Sequence, residues 1–344
     1  MRVGILTGGG DCPGLNAVIR AVVRRGLEED GNSFCGFRSG WAGVLNLETV
    51  ELTFESTAGL LPRGGTMLGT SRTNLFADGA DGVATVRRAF AEEKLDALVP
   101  IGGDDTLGVA LKLSEAGLAI VGVPKTIDND IGATDFTFGF QTAVQIVTDA
   151  IDRLHTTAES HNRVMVVEVM GRNAGWIAAY AGIAGGADGI LVPERPFDVE
   201  RLSERLKVRH AHGRTFSIVV VAEGATPKEG TEAMTTAKGT DAFGHGRLGG
   251  IGAALGAEIE ARTGFETRVT VLGHVQRGGT PTAYDRVLAT RFGVAAMDAV
   301  IAGRFGVMVA LRGTDIVEVP LTEALSEPKL VDPSLLTTAA VFFA

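Results

Sequence analysis

The sequence predicts an α/β protein with mainly parallel sheets, arranged as two closely packed domains of three layers each, helix on sheet on helix. Three observations predict it. Short, almost wholly apolar runs alternate with amphipathic stretches of helical period, the pattern of strands buried on both faces between crossover helices. The 344 residues are enough for one large or two medium domains, and no segment reads as a linker between them. Glycines, 47 in all and about twice the usual ~7%, gather just after the apolar runs, where a parallel sheet turns into its next helix.

In chain order, the run VGILT (3–7) ends at three glycines and leads into the amphipathic stretch 16–28. A helix over 81–93 precedes the strand ALVPI (97–101), followed by a helix over 105–115 and the strand IVGV (120–123). The long apolar-periodic stretch 141–156 leads to VMVVEV (164–169), a helix over 174–184 and the strand GILV (189–192). A helix over 198–212, the strand FSIVVVA (216–222), a helix over 248–263 and the strand RVTVL (268–272) follow. A helix over 281–302 and the strand VMVAL (307–311) close the series. The polar stretch 226–246 reads as a surface excursion. Trp176 and most Met and Phe residues are expected in the core.

Composition narrows the function. The net charge of −9 and the absence of Lys/Arg runs argue against nucleic acid or membrane as partner. An anionic substrate must be held by local arginines against that global field. Two cysteines, Cys12 and Cys35, have no metal spacing and offer no disulfide framework. No apolar stretch approaches the ~18 residues of a membrane span. A cytoplasmic protein is the expectation.

The stretch ILTGGGDCPGLNAVIRAV puts Gly8, Gly9 and Gly10 between a strand and a helix, where backbone N–H groups and a helix N-terminus favour an anion. It is not a dinucleotide fingerprint, because the third glycine of G-x-G-x-x-G falls on Pro13; it is not a Walker A loop either. The second turn, IGGDDTL, carries adjacent carboxylates, Asp104 and Asp105. One suffices to cap a helix; the second either joins a Mg²⁺ site or repels something. A third turn, VPKTIDNDIG, sets Lys125 and Thr126 beside Asp128 and Asp130, and a loop carboxylate there suits a general base acting on a hydroxyl. Taken singly, each turn is explained by capping or Asx-turn chemistry; three of them after strands favour phosphoryl transfer. Arg163, Arg172, Arg268, Arg277 and His274 also stand at strand ends, as donors to phosphate.

Across essentially the whole chain these residues resemble the phosphofructokinase family, through GGGDCPGLNAVIR, GGTMLGTSR, GGDDT, PKTIDND, RVMVVEVMGRNAGW, AEG and RVTVLGHVQRGGTPTAYDR in the same order. The resemblance implies a phosphofructokinase-like fold and Mg²⁺-dependent phosphorylation of fructose 6-phosphate at its 1-hydroxyl, a step of glycolysis. It implies that Gly10 meets the donor, Arg72 stabilises the transferring group, Asp104 holds the metal and Asp128 is the base. Thr126, Ile127 and Asp130 support the base. Met170, Gly171, Arg172 and Glu223 line the sugar, and His274, Val275, Gln276 and Arg277, with Arg163 and Arg268, hold the 6-phosphate. In the family those last two arginines come from a neighbouring subunit, implying a homodimer or homotetramer with shared active sites. The resemblance divides the chain into a donor and metal domain, 1–139 plus 278–303, and a sugar-phosphate domain, 140–277 plus 304–344.

Asp105 and Lys125 replace glycines of the ATP-dependent members and look like the pyrophosphate-dependent branch, which runs reversibly. A carboxylate at ~5 Å from a nucleotide phosphate, at an effective dielectric of ~20, repels it by about 3 kcal/mol, so Asp105 reads as a filter against ATP. Lys125 reads as a cation for a compact tetra-anionic donor and its leaving phosphate. Members with lysine at the Lys125 position also use ATP, so Asp105 carries the discrimination. The alternatives are the same reaction with ATP, a non-catalytic sugar-phosphate-binding module and a dinucleotide oxidoreductase.

Overall fold

The structure is a computed structural model and describes residues 1–228 and 249–341. Within them the chain divides into two compact units, Met1–Thr142 with Arg277–Pro328, and Ala143–Gln276 with Lys329–Ala344.

The first unit is built on one sheet. Strand β1 (Arg2–Thr7) lies between β2 (Ser33–Phe37) and β4 (Ala97–Gly102), parallel to both. Strand β4 pairs in parallel with β5 (Val121–Thr126), and β5 with β11 (Val307–Arg312). The antiparallel strands β3 (Thr49–Leu52) and β12 (Asp315–Pro320) flank the ends, on β2 and β11. The short β6 (Phe138–Gly139) pairs with β5. Every residue of β4 is buried, as expected for a strand covered on both faces. Helix α1 (Leu15–Gly26) packs on α9 (Ala283–Ile301) so closely that a Cβ on Gly293 would stand 2.6 Å from the Ala21 Cβ. Glycine is therefore the residue that allows this crossing. Helices α2 (Trp41–Asn46), α3 (Gly82–Glu92), α4 (Asp104–Glu115) and α10 (Leu321–Ala324) complete the unit, with Phe37, Trp41, Leu98, Leu107 and Met308 in its core.

The second unit carries a parallel sheet in the order β10 (Thr267–Val271), β7 (Val164–Val169), β9 (Ser217–Ala222) and β8 (Gly189–Leu191). Helices α7 (Val199–Ala211) and α8 (Ile251–Thr263) pack together against a core of Val166, Phe197, Leu206, Val219 and Leu255. Helix α5 (Phe140–His161) leads into the unit, and α6 (Trp176–Ala184) and α11 (Pro333–Ala340) belong to it.

The mainly parallel α/β architecture is as predicted. Four strands were not: β2 contains Ser, Cys and Gly, β3 is a four-residue edge, β6 is a two-residue pairing on β5, and β12, DIVEVP, is a partly exposed edge without regular alternation. The expected boundary also needs correction. Residues 304–328 fall in the first unit, not with 140–277, because β11 and β12 extend its sheet through β5. Residues 140–142 and Arg277 fall there too. The predicted excursion 226–246 lies, from residue 229 onward, outside the described residues, as does the expected helix start at residue 248.

Candidate active site

In the first unit three turns leave the carboxyl ends of adjacent parallel strands, β1, β4 and β5. The glycine turn after β1 enters α1 through Gly14, whose φ of 114° suits only glycine. Its path is fixed by backbone bonds, Gly8 N–H to the Ile101 carbonyl at 2.9 Å and Gly9 N–H to the Ser71 carbonyl at 3.2 Å. The Thr70 hydroxyl donates to the Gly9 carbonyl at 2.5 Å, so the segment carrying Arg72 is tied to the glycine turn. Arg72 itself is exposed. A Cβ on Gly8 would sit 2.4 Å from the Thr106 Oγ1, and one on Gly10 2.6 Å from an Arg277 guanidinium nitrogen. The loop is therefore as close to its neighbours as a backbone without side chains permits.

After β4, Gly103 precedes α4, whose first turn holds Asp104, exposed, and Asp105, half-buried. Thr106 behind them packs under both Gly8 and Gly102, locking the acidic turn to the glycine turn. Neither the Thr106 brace nor the Thr70 tie is visible as a motif; each is a single hydroxyl residue one or two places from a charged one.

Strand β5 carries Lys125, which is 3% exposed and donates through Nζ to the Gly10 carbonyl. Burial pushes its pKa below the ordinary lysine value. Beyond it the loop is held by its own polar groups. The Thr126 hydroxyl accepts from Asp128 N–H at 3.0 Å, and the buried Asn129, at φ 53°, accepts from Thr137 N–H at 3.0 Å. Asn tolerates that left-handed conformation better than most residues. Ile127 is fully buried, so it anchors the loop in the core and offers a ligand only its backbone. Asp128 and Asp130 are half-buried. Burial first, then the carboxylates of Asp128 and Asp104, push Asp130 up to about 7. Three of the predicted carboxylates thus share one electrostatic neighbourhood.

Arg277 falls in this first unit, and its Nη1 donates to the Asp11 carbonyl at 3.3 Å. Arg163, Arg268 and His274, expected with it around a 6-phosphate, fall in the second unit.

In the second unit β7 and β9 end side by side, with Val169 opposite Ala222. Their continuations are bonded to each other, Glu223 N–H to the Val169 carbonyl at 2.8 Å and Gly224 N–H to the Gly171 carbonyl at 3.0 Å. Glu223 and the Met170–Gly171–Arg172 turn are thereby brought together. Gly171 has φ 136°, and a Cβ on Gly224 would lie 1.9 Å from the Arg172 carbonyl oxygen. Gln276 is fully buried; its amide accepts from Met170 N–H at 3.2 Å and donates to the Gly273 carbonyl at 3.0 Å. It braces that turn from behind. His274 and Val275 are exposed in the same short helical turn, Gly273–Arg277. Arg163 and Arg268 meet on Glu266, a residue that no motif in the sequence singles out.

Each unit therefore presents glycine turns with carboxylates or arginines at the carboxyl ends of parallel strands, the mark of an α/β protein that handles phosphate groups. The model of the family described as Phosphofructokinase matches residues 2–300. The chain is 61% identical, over the full length of both, to the pyrophosphate–fructose 6-phosphate 1-phosphotransferase of Amycolatopsis methanolica. It is 54% identical, again over both full lengths, to ATP-dependent 6-phosphofructokinase 2 of Streptomyces coelicolor. The solved phosphofructokinase of Pichia pastoris in the T-state superposes on 99% of this chain and 36% of that one, with a TM-score of 0.83 at 32% identity. The chain belongs to the phosphofructokinase family.

Proposed function

We propose that the protein is a phosphotransferase that moves a phosphoryl group from pyrophosphate to the 1-hydroxyl of fructose 6-phosphate, reversibly, as a step of glycolysis and gluconeogenesis in the cytoplasm. The observation that carries the donor assignment is Asp105, half-buried in the first turn of α4, which adds negative charge where a nucleotide's inner phosphate and ribose would pass. Lys125, buried and bonded to the Gly10 carbonyl inside the glycine turn, adds a cationic side chain suited to a small polyanion.

Asp128 takes the proton from the sugar hydroxyl as its oxygen attacks the donor phosphorus. Arg72 offsets charge on the transferring group, and Lys125 offsets charge on the departing phosphate. Met170, Gly171, Arg172 and Glu223 hold the sugar, and Arg163, Arg268 and His274 hold its 6-phosphate. Arg277, bonded to the Asp11 carbonyl, is a further ligand of the 6-phosphate.

The carboxylates fit Mg²⁺. Asp104 is exposed at the helix start, and the raised pKa of Asp130 marks crowding of negative charge that a cation relieves. Among the described residues no group of three or more His, Cys, Asp or Glu is gathered for a metal. One or two carboxylates together with substrate phosphate oxygens is the usual setting for Mg²⁺. When bound, the metal supplies charge neutralisation on the donor oxygens.

Arg163 and Arg268 serve a neighbouring subunit's sugar in a homodimer or homotetramer. Among the described residues no helix is long and apolar enough to cross a membrane. A second reading, ATP as donor, has the support of the ATP-dependent Streptomyces coelicolor relative, 54% identical over its full length. The deciding experiment is kcat/KM with pyrophosphate and with ATP at saturating fructose 6-phosphate. A preference for pyrophosphate of about a hundredfold follows from ~3 kcal/mol of charge discrimination; an equal or greater rate with ATP refutes the donor assignment.

A further inference from the structure

The edge strand β10 lies beside β7 with Thr267 opposite Val164. Val164 N–H donates to the Glu266 carbonyl at 3.0 Å, so the register sets Arg163, just before β7, next to Glu266, just before β10. Glu266 and Arg268, two residues apart on an extended chain, fall on one face. The side chains use this placement fully. Arg163 Nη2 reaches Glu266 Oε1 at 2.8 Å, and Arg268 Nη2 donates to the same oxygen. Arg268 is oriented further by donating to its neighbour's carbonyl, Thr267, at 3.0 Å. Two guanidinium groups thus converge on a single carboxylate oxygen. The hydrogen bond from Arg163, more than any other cause, holds the Glu266 pKa below the usual carboxylate value, so Glu266 is ionised at neutral pH. Arg163 also has a buried Nε with no hydrogen-bond partner among the described residues.

We propose that Glu266 is an internal counter-ion that competes with the sugar's 6-phosphate for Arg163 and Arg268. Its Oε1 takes the position that a phosphate oxygen takes in the complex, and it keeps two like-charged side chains converged without a ligand. A phosphate dianion must displace it from both arginines and then endure its negative charge close by. Glu266 therefore holds the affinity for phosphorylated sugar down, which suits an enzyme that must release product in either direction. This inference rests on the proposed reading of Arg163 and Arg268 as 6-phosphate ligands.

The test is Glu266→Gln, which keeps shape and an acceptor oxygen and removes the charge. Two partly exposed ion pairs are each worth roughly a factor of two to five, so the variant binds fructose 6-phosphate about four- to twenty-five-fold more tightly by titration calorimetry. Inorganic phosphate, used as a competitor, gains by a similar factor. KM falls in step while kcat does not rise. The gap between variant and wild type narrows as salt shortens the Debye length below about 10 Å. Unchanged or weaker binding in Glu266→Gln overturns the proposal. Should that variant fold poorly, Glu266→Asp keeps the charge but withdraws it from the arginines, and it must still tighten binding. Arg163→Ala separates the two levels of argument. If it leaves the KM for fructose 6-phosphate unchanged, the reading of the pocket fails and Glu266 falls with it. If it raises KM while Glu266→Gln does not tighten binding, only the counter-ion is refuted.

Discussion

Replacing Lys125 by Met separates what this residue does for the fold from what it does for the donor. The side chain is 3% exposed and its ammonium donates to the Gly10 carbonyl. A Cβ on Gly9 would stand 3.5 Å from Nζ, so the charge sits against the glycine turn itself. Met fills nearly the same volume without charge. The loss of the bond to Gly10 costs about 1–2 kcal/mol. Removal of a buried ammonium returns several kcal/mol of desolvation. The net expectation is a variant as stable as the wild type or about 1–2 kcal/mol more stable at pH 7, measured by urea unfolding. Function moves the other way. A unit charge at ~5 Å from the donor, at an effective dielectric of ~20, is worth about 3 kcal/mol, or roughly a hundredfold in kcat/KM for pyrophosphate. The pH dependence supplies a further check. A lysine whose folded pKa lies below its unfolded value of about 10.4 penalises the fold while it is charged, and the penalty is relieved as pH rises through the folded value toward about 10.4. Wild-type stability should therefore gain on that of the variant at alkaline pH. A variant destabilised by more than the roughly 2 kcal/mol that a lost hydrogen bond explains would make Lys125 a structural tie. If that variant also kept its pyrophosphate activity, the assignment of Lys125 to the donor would be refuted.

Asp105→Gly should shift the kcat/KM ratio of ATP to pyrophosphate toward ATP by about tenfold or more, and an unchanged ratio would reduce Asp105 to a helix cap. Asp128→Asn should lower kcat by roughly 10²–10⁴ with fructose 6-phosphate binding retained, as judged by calorimetry; near-normal turnover removes it from the role of base. Mixed oligomers of inactive Asp128→Asn and inactive Arg163→Ala subunits should recover activity, because one hybrid site regains both residues, and no recovery after proven subunit exchange argues against shared sites. Asp130, raised to about 7, binds its proton more tightly in the fold than in the unfolded chain, at about 3.9. Its contribution to stability is therefore full below pH ~4 and is lost as pH rises to about 7. In metal-free protein Asp130→Asn should remove that decline from a thermal-melt series, and an identical slope in the variant would contradict it.

The sequence by itself determined the strands that carry the site and the turns that follow them. β1, β4, β5, β7 and β9 are nearly continuous apolar runs, because burial on both faces leaves no room for polar alternation. Glycine turns and Asp104, Asp105 and Asp128 were legible at their ends because close backbone approach and charge at a helix start each demand particular residue types. The edge strands β3 and β12 were not legible, since half-exposed residues carry no distinctive pattern. Nor was the return of 304–328 to the first unit, which depends on Val307 of β11 finding Val121 of β5 across most of the chain. Only the tertiary structure decided that Lys125 turns inward to the Gly10 carbonyl, that Thr106 lies under two glycines, that Arg277 bonds the Asp11 carbonyl of the glycine turn, and that Glu266 is shared by two arginines. The physical reason is common to all four. A side chain's residue type is written locally, but its partner is set by sheet register and by crossings between distant segments, and those are fixed only when the core packs.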